Sequence, residues 1–417
     1  MEFFKVKRHL HIWGLSALLL ITATLALRLV FAPQSESSGS CPCGRDVQPT
    51  GHSFQPLETN TSTAPCCCST QRQDAVATLA PPSHIVNWRT PLSSAAECLA
   101  AGKDGWVVGE RTGRITALTS DGGIRWQVAI SNHNWQALAP LPDGTGLVAV
   151  SLHGCVCVLD SKDGAPRWSR ETDASFMRAP LFGKVGDTPV MWQISQADST
   201  VFCLRVADGS EVWKSEPSNR CDGSPALWNN RLAFGNCDGV VYVLDAQTGR
   251  SLGTIATGGQ EDPMAGAMLA LPSGLMLIGT YRGNFLMLDA DAIACLGTAK
   301  IAGSESFATP VMIGDTAVAM GTPDGHVTLW ETRGRKLEHT GDIPVGKDGI
   351  DQVAFDAGGL WVLAGRDFCR VDMQTRTVQA FNIGDDMSAL TLNPQDGTLA
   401  LLADGDVVCI STRRNTK

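Results

Sequence analysis

Cysteines and carboxylates are the side chains of this sequence whose types could carry chemistry, and their spacing decides which chemistry. Cys41 and Cys43 in "CPC", with Cys66, Cys67 and Cys68 in "CCC", place five of the 14 cysteines in one stretch. Soft-metal capture would use such thiolates, but zinc centres are built on paired CxxC or Cys/His spacing, which this stretch lacks. Exposed thiols forming disulfides within or between chains are the plainer expectation. Lipidation of Cys41 is a third reading, and the residue lies far beyond the apolar N-terminal run. Asp222, Asp262 and Asp351 open segments that could collect carboxylates at one point, although solvated loop acids would look the same. Asp289 and Asp291 in "LDADA" lack the remaining oxygen ligands of a calcium loop. The eight histidines show no metal-ligand spacing, and GxxxxGK, HExxH and GxSxG motifs do not occur. No catalytic, cofactor or metal site is therefore expected.

The regions that position these residues differ in composition. Lys5, Lys7 and Arg8 precede the apolar run "LHIWGLSALLLITATLAL", which Arg28 closes. A positive flank stays cytoplasmic, so residues 1–31 read as a transmembrane signal anchor with the rest exported. A cleaved signal peptide is the alternative, and export follows from both. Residues 32–83, rich in Ser, Thr, Pro and Gln, cannot bury enough apolar surface to order themselves and read as a disordered, Cys-containing tether. The net charge of −9 excludes nucleic acid as a partner, because phosphates would be repelled.

Residues 84–417 carry a repeat. A turn residue followed by alternating apolar residues recurs at Gly113, Gly154, Ser199, Gly239, Gly283, Gly325, Arg366 and Gly405, spacings of 41, 45, 40, 44, 42, 41 and 39. Short strands every ten residues and a period near 42 predict an all-β fold, an eight-bladed β-propeller of four-stranded blades. The eighth unit stops after its third strand, so the segment Asn87–Leu92 around Trp88 is expected to supply the fourth and close the ring. Trp126, Trp168 and Trp213 each follow a turn glycine by four residues on the outermost strand and read as blade-to-blade wedges. In later units Gly253, Gly297, Glu338 and Ala380 take that position. Cys221 in "NRCDGS" and Cys237 in "GNCDGV" fall in two loop types that share a propeller face. They form a candidate disulfide, worth about 3 kcal/mol in an oxidising compartment. Cys157, Cys369 and Cys409 fall on strands as packing residues.

The segments "VLDSKDGAPRW" and "VLDAQTGRSLG" resemble the PQQ-like, quinoprotein-type β-propeller repeat over about Ile85 to Thr412. A single exported propeller of this size is similar to the barrel-assembly lipoproteins of bacterial outer membranes. That resemblance implies a non-catalytic scaffold that docks envelope proteins in the periplasm. Enzymes of the wider family bind the quinone and calcium at the propeller axis over two adjacent cysteines. Here the only adjacent cysteines, Cys66 to Cys68, lie in the tether. A quinone-binding dehydrogenase or a ligand-sensing propeller is thus the alternative function. On the scaffold reading, the face carrying the blade lead-in loops is the docking face, with Trp135, Phe176, Met177, Met264 and Phe307 as apolar anchors.

Overall fold

The computed structural model describes residues 85–130, 134–257, 262–264, 266–301, 309–356, 359–384 and 387–410, all within the unit Gln73–Lys417. Residues 1–31, expected to be an anchor, residues 32–83, expected to be a tether with five cysteines, and Phe307 lie outside the described residues. Among the described residues the chain forms 32 strands in eight four-stranded antiparallel sheets and no helix; no segment of them is long and apolar enough to cross a membrane as a helix. The sheets are the eight blades of a propeller, with the first strand of each nearest the axis. The third strands begin at Arg114, Cys155, Val201, Val240, Asn284, His326, Asp367 and Asp406, one or two residues after each repeat landmark.

The ring closes through the N-terminal strand. Val86–Thr90 pairs antiparallel with Asp406–Ile410, Trp88 opposite Cys409, and becomes the outer strand of blade 8. Closure leaves no free first or last blade edge to template aggregation. Arg89 fixes the joint by donating to the carbonyl of Ile383 at 2.5 Å and pairing with Asp406 at 3.2 Å. The link onward to blade 1 is held by Glu110, a fully buried carboxylate that accepts from Ser93, Ser94 and Thr116. Those hydrogen bonds replace the water the charge has lost.

Within a blade, burial follows position. In Gly146–Ser151 and Cys155–Asp160, the second and third strands of blade 2, nearly every residue is buried, whereas the outer strand Pro166–Glu171 is exposed or half-buried. The sequence suggests one buried face per strand. The middle strands bury both, because a blade is covered on each side by its neighbours, so they read as continuous apolar runs such as "GLVAVS". The turn that follows Leu-Asp in "VLDAQTGRSLG" also has a physical reason. Asp245 accepts the backbone N–H groups of Gln247 and Thr248, both at 2.9 Å, and the Gly249 N–H bonds back to the Asp245 carbonyl at 2.8 Å. This local bonding satisfies the turn backbone before any tertiary contact is made. At the other hairpin Gly154 has φ +79°, and a Cβ there would lie 2.1 Å from the Thr172 carbonyl oxygen, so only glycine fits.

Tryptophans join the blades at the outer rim. The Trp88, Trp126, Trp168 and Trp213 rings lie on Gly122, Gly164, Gly209 and Gly249, the turn glycines of the following blade. Their indole N–H groups donate to the carbonyls of Ser120, Val206, Ser161 and Ala246 at distances of 2.8 to 3.2 Å, Trp168 to Val206 and Trp126 to Ser161. A Cβ on Gly209 would lie 2.6 Å from the Trp168 ring, which ties the glycine and the tryptophan together across blades. The pairing register puts Gly253, Gly297, Gly341 and Ala380 at the same position in blades 4 to 7. Glu338 is therefore not the blade 6 equivalent. The third and fourth strands of that blade, His326–Arg333 and Lys336–Pro344, run on past the usual turn, and Gly341 faces Leu329 where the tryptophan would stand.

Candidate functional site: the lead-in face and its blade seams

Each blade begins with a lead-in loop that crosses the seam to the preceding blade. The Phe176 N–H donates to Ser151 O at 3.1 Å, Cys221 to Gln196 O at 2.9 Å, Met264 to Asn236 O at 3.1 Å and Ile350 to Thr322 O at 3.0 Å. Every acceptor lies at the end of the second strand of the blade before or within two residues after it. The residue one earlier is held by its own blade: the Ser175, Arg220 and Pro263 carbonyls accept from Gln196, Cys237 and Tyr281. A lead-in residue is thus clamped between two blades, and its side chain has one place to go, into the seam.

This geometry corrects the expected docking anchors. Trp135, Phe176 and Met264 have no exposed surface. Trp135 packs against Gly109 and donates its indole N–H to the Gly113 carbonyl at 2.9 Å. Phe176 meets Phe202 edge to face at 5.8 Å. Met264 covers Gly235, where a Cβ would come within 2.8 Å. These three are seam plugs, and a partner could reach them only by opening the ring. Met177 is half-buried at the surface, and Phe307 lies outside the described residues. The sequence held a signal for the plugs: Trp135, Phe176, Cys221 and Met264 follow one another by 41, 45 and 43 residues, which is the repeat period itself.

What the face presents around blades 3 and 4 is polar. Arg178 and Arg220 are exposed. Arg178 Nε donates to the Asp222 carbonyl at 2.9 Å, Arg220 Nε meets both Asp222 carboxylate oxygens at 2.8 and 2.9 Å, and Gln196 donates to Asp222 at 2.6 Å. Asp262 is buried and accepts from the Arg282 N–H at 2.7 Å and from Asn284; Asp351 accepts from the Gly365 N–H at 3.0 Å. The three acids brace separate turns of separate blades, and the fold does not gather them at one point. Among the described residues no three His, Cys, Asp or Glu side chains are arranged to hold a metal ion. Asp289 accepts the Asp291 and Ala292 N–H groups at 3.0 and 2.9 Å, so "LDADA" is a capped hairpin turn.

Cys221 and Cys237 are neighbours across the blade 4 loops, linked through the Arg220 carbonyl and the Cys237 N–H at 2.8 Å. Both are free thiols in this structure. Cys221 is buried and its Sγ donates to Gly235 O at 3.2 Å; Cys237 is half-buried beside Asp222. Burial pushes the Cys221 thiol up to about 12 and the Cys237 thiol up to about 11. Cys157, Cys369 and Cys409 are buried on strands. Cys295 is the one exposed cysteine among the described residues.

Comparison with known proteins agrees with this architecture. The family profile described as outer membrane protein assembly factor BamB matches residues 72–195 and 192–416. The BamB of Bordetella pertussis is 28% identical over 216 residues, 48% of this chain and 52% of that protein. The Escherichia coli BamB is 26% identical over 177 residues, 38% of this chain and 42% of that protein. The chain thus spans about half the length of the first of these relatives and less of the second. Among solved structures, BamB from Moraxella catarrhalis has a TM-score of 0.63 at 19% identity, covering 79% of this chain and 99% of that one. Saccharomyces cerevisiae Sqt1 has a TM-score of 0.64 at 14% identity, covering 78% and 100%. At such identities the structural likeness concerns the propeller fold alone.

Proposed function

This chain belongs to the family of the outer membrane protein assembly factor BamB, and from that premise we propose that its propeller is a non-catalytic docking scaffold for envelope proteins in outer-membrane protein assembly. The observation that carries the reading is that the family match spans the whole closed ring, residues 72 to 416. On this reading the ring is exported, residues 1–31 hold it at the membrane as a single-pass anchor, and residues 32–83 give it reach. The seam plugs make the ring a rigid support, and recognition falls to polar loop residues such as Arg178 and Arg220. Charged rims of this kind act on partner choice and association rate more than on raw affinity.

Reversing both charges, Arg178→Glu with Arg220→Glu, should cut capture of outer-membrane assembly components from a bacterial envelope extract by about tenfold, equivalent to roughly 1.4 kcal/mol. The melting temperature should fall only slightly, since both side chains are exposed and a surface ion pair such as Arg220 with Asp222 contributes under about 1 kcal/mol. Undiminished capture by the folded double variant removes this patch from the docking face. Turnover of alcohols or sugars with added quinone and calcium would favour the dehydrogenase alternative and overturn the scaffold.

Export to an oxidising compartment also bears on the thiols. On the same proposal Cys221 joins Cys237 in the exported protein, and non-reducing peptide mapping should recover the two linked peptides. Recovery of both as free thiols rejects the bond. In the protein kept reduced at pH 8, alkylation should reach Cys295 quickly and Cys221 only on unfolding, because burial withholds the thiolate that reacts.

A further inference from the structure

Blades 4 to 7 carry no tryptophan at the wedge position, and the turns of blades 4, 5 and 6 have the chemistry of a binding site. At the seam between blades 4 and 5 the wedge position is Gly253, and the contact is reversed. Ile293 of the blade 5 turn leans on that glycine, where a Cβ would lie 3.1 Å away. At the seam between blades 1 and 2, where Trp126 is present, the turns enclose only about 20 Å³. Across blades 4, 5 and 6 the turns border an open depression of about 390 Å³, lined by Trp228, Ser273, Gly274, Asp289, Asp291 and Arg335. That volume falls at the lower end of small-ligand sites, roughly 300–1,000 Å³.

We propose that this depression binds a neutral saccharide ring. Trp228 lies on Gly274 much as the wedges lie on their glycines, with a would-be Cβ 2.6 Å from its Nε1. The four wedge indoles each donate to a turn carbonyl. The Trp228 N–H donates to no acceptor among the described residues, and its half-buried ring borders the depression. The N–H is open to solvent at the edge of this volume, where the acceptor of a ligand can meet it while the ring face stays available for stacking.

The charges around the indole select the ligand class. Arg335, from the extended hairpin of blade 6, pairs with Asp289 of blade 5. Arg231 pairs with Asp291 at 3.6 Å. With both carboxylates already matched, a cationic peptide or an anion gains no countercharge without breaking a pair. A calcium ion would want six to eight oxygens, and these two acids are engaged by guanidinium groups. Hydroxyl groups suffer no such conflict. They donate to spare carboxylate lone pairs and accept from guanidinium and indole N–H groups, while the apolar face of a sugar ring stacks on the indole. Asp291 and Arg335 remain 46% and 64% exposed, so a ligand can reach them.

The proposal stands apart from the scaffold reading and is tested separately. Full-length protein carrying ¹⁵N-labelled tryptophan is titrated with two neutral probes, an N-acetylglucosamine oligomer and a glucose oligomer. The Trp228 indole resonance should shift saturably with at least one probe, with a dissociation constant on the order of 1 mM. The Trp88, Trp126, Trp168 and Trp213 resonances should hold still. Asp291→Asn, on an exposed turn that should fold normally, is expected to weaken the response about tenfold; Trp228→Leu should abolish saturable binding measured by calorimetry. A motionless Trp228 resonance with both probes, or one whose titration is unchanged in Asp291→Asn, overturns the site. So does a response to an arginine-rich peptide that neither sugar reproduces. Assembly-partner capture by Asp291→Asn should equal that of the parent chain, so failure of this site leaves the scaffold reading standing.

Discussion

A chain beginning at Ser93 should melt on the order of 10 °C below one beginning at Pro82, and should aggregate where the longer chain stays soluble. The missing strand, Val86–Thr90, supplies the fourth strand of blade 8, and its loss uncovers the edge of Asp406–Ile410, whose Val407, Val408 and Cys409 are buried in the ring. It also removes the Trp88 wedge from Gly122, the Thr90 hydroxyl bond to the Gly122 carbonyl at 2.6 Å, and the Arg89 contacts to Ile383 and Asp406. An opened ring exposes one face of blade 1 and one of blade 8 together, so the loss exceeds that of a single contact and should amount to more than about 5 kcal/mol. Trp88→Ala alone, at a half-exposed position, should cost about 2–3 kcal/mol. Equal melting temperatures for the two chains would show that the N-terminal strand is an ornament on a ring closed by other contacts.

Trp135→Ala should destabilise the propeller by about 4 kcal/mol, the range for emptying a fully buried aromatic site. The change removes an indole wholly enclosed between blades 1 and 2, takes from the Gly113 carbonyl the shorter of its two hydrogen bonds (the Ile130 N–H at 3.2 Å remains), and leaves a cavity over Gly109. Met264→Ala should cost about 3 kcal/mol by the same reasoning in the cluster between blades 4 and 5. Met177→Ala, at a half-buried surface position next to the Phe176 plug, should cost under about 1 kcal/mol. Urea titration of the three variants separates plug from surface residue. A Trp135→Ala protein with parental stability and lost partner capture would restore Trp135 to the docking face.

The error over the anchors has a physical origin. From sequence, Trp135, Phe176 and Met264 are large apolar residues in polar loops, the pattern of an exposed hot spot. A lead-in residue, however, is fixed by two backbone contacts to different blades, and these turn its side chain into the seam. Those contacts join segments 25 to 28 residues apart, Ser151 to Phe176 and Asn236 to Met264, so local pattern does not report them. Glu338 was misplaced for a related reason. Counting forward from a turn assumes a hairpin of standard length, and the blade 6 strands continue to Arg333 and Lys336.

By itself the sequence determined the number of blades, their strand order and the closing strand at Trp88. Each of these rests on local chemistry repeated with a fixed period, and period survives any uncertainty about packing. Tertiary structure alone decided which side chains are inside and what the seams leave open. Trp228, Asp289, Asp291 and Arg335 belong to three blades, and nothing in their spacing shows that an indole ring, two carboxylates and a guanidinium border one depression. Curling the sheets into a ring brings residues more than a hundred positions apart to one rim, and a sequence pattern with a period near 42 carries no record of that meeting.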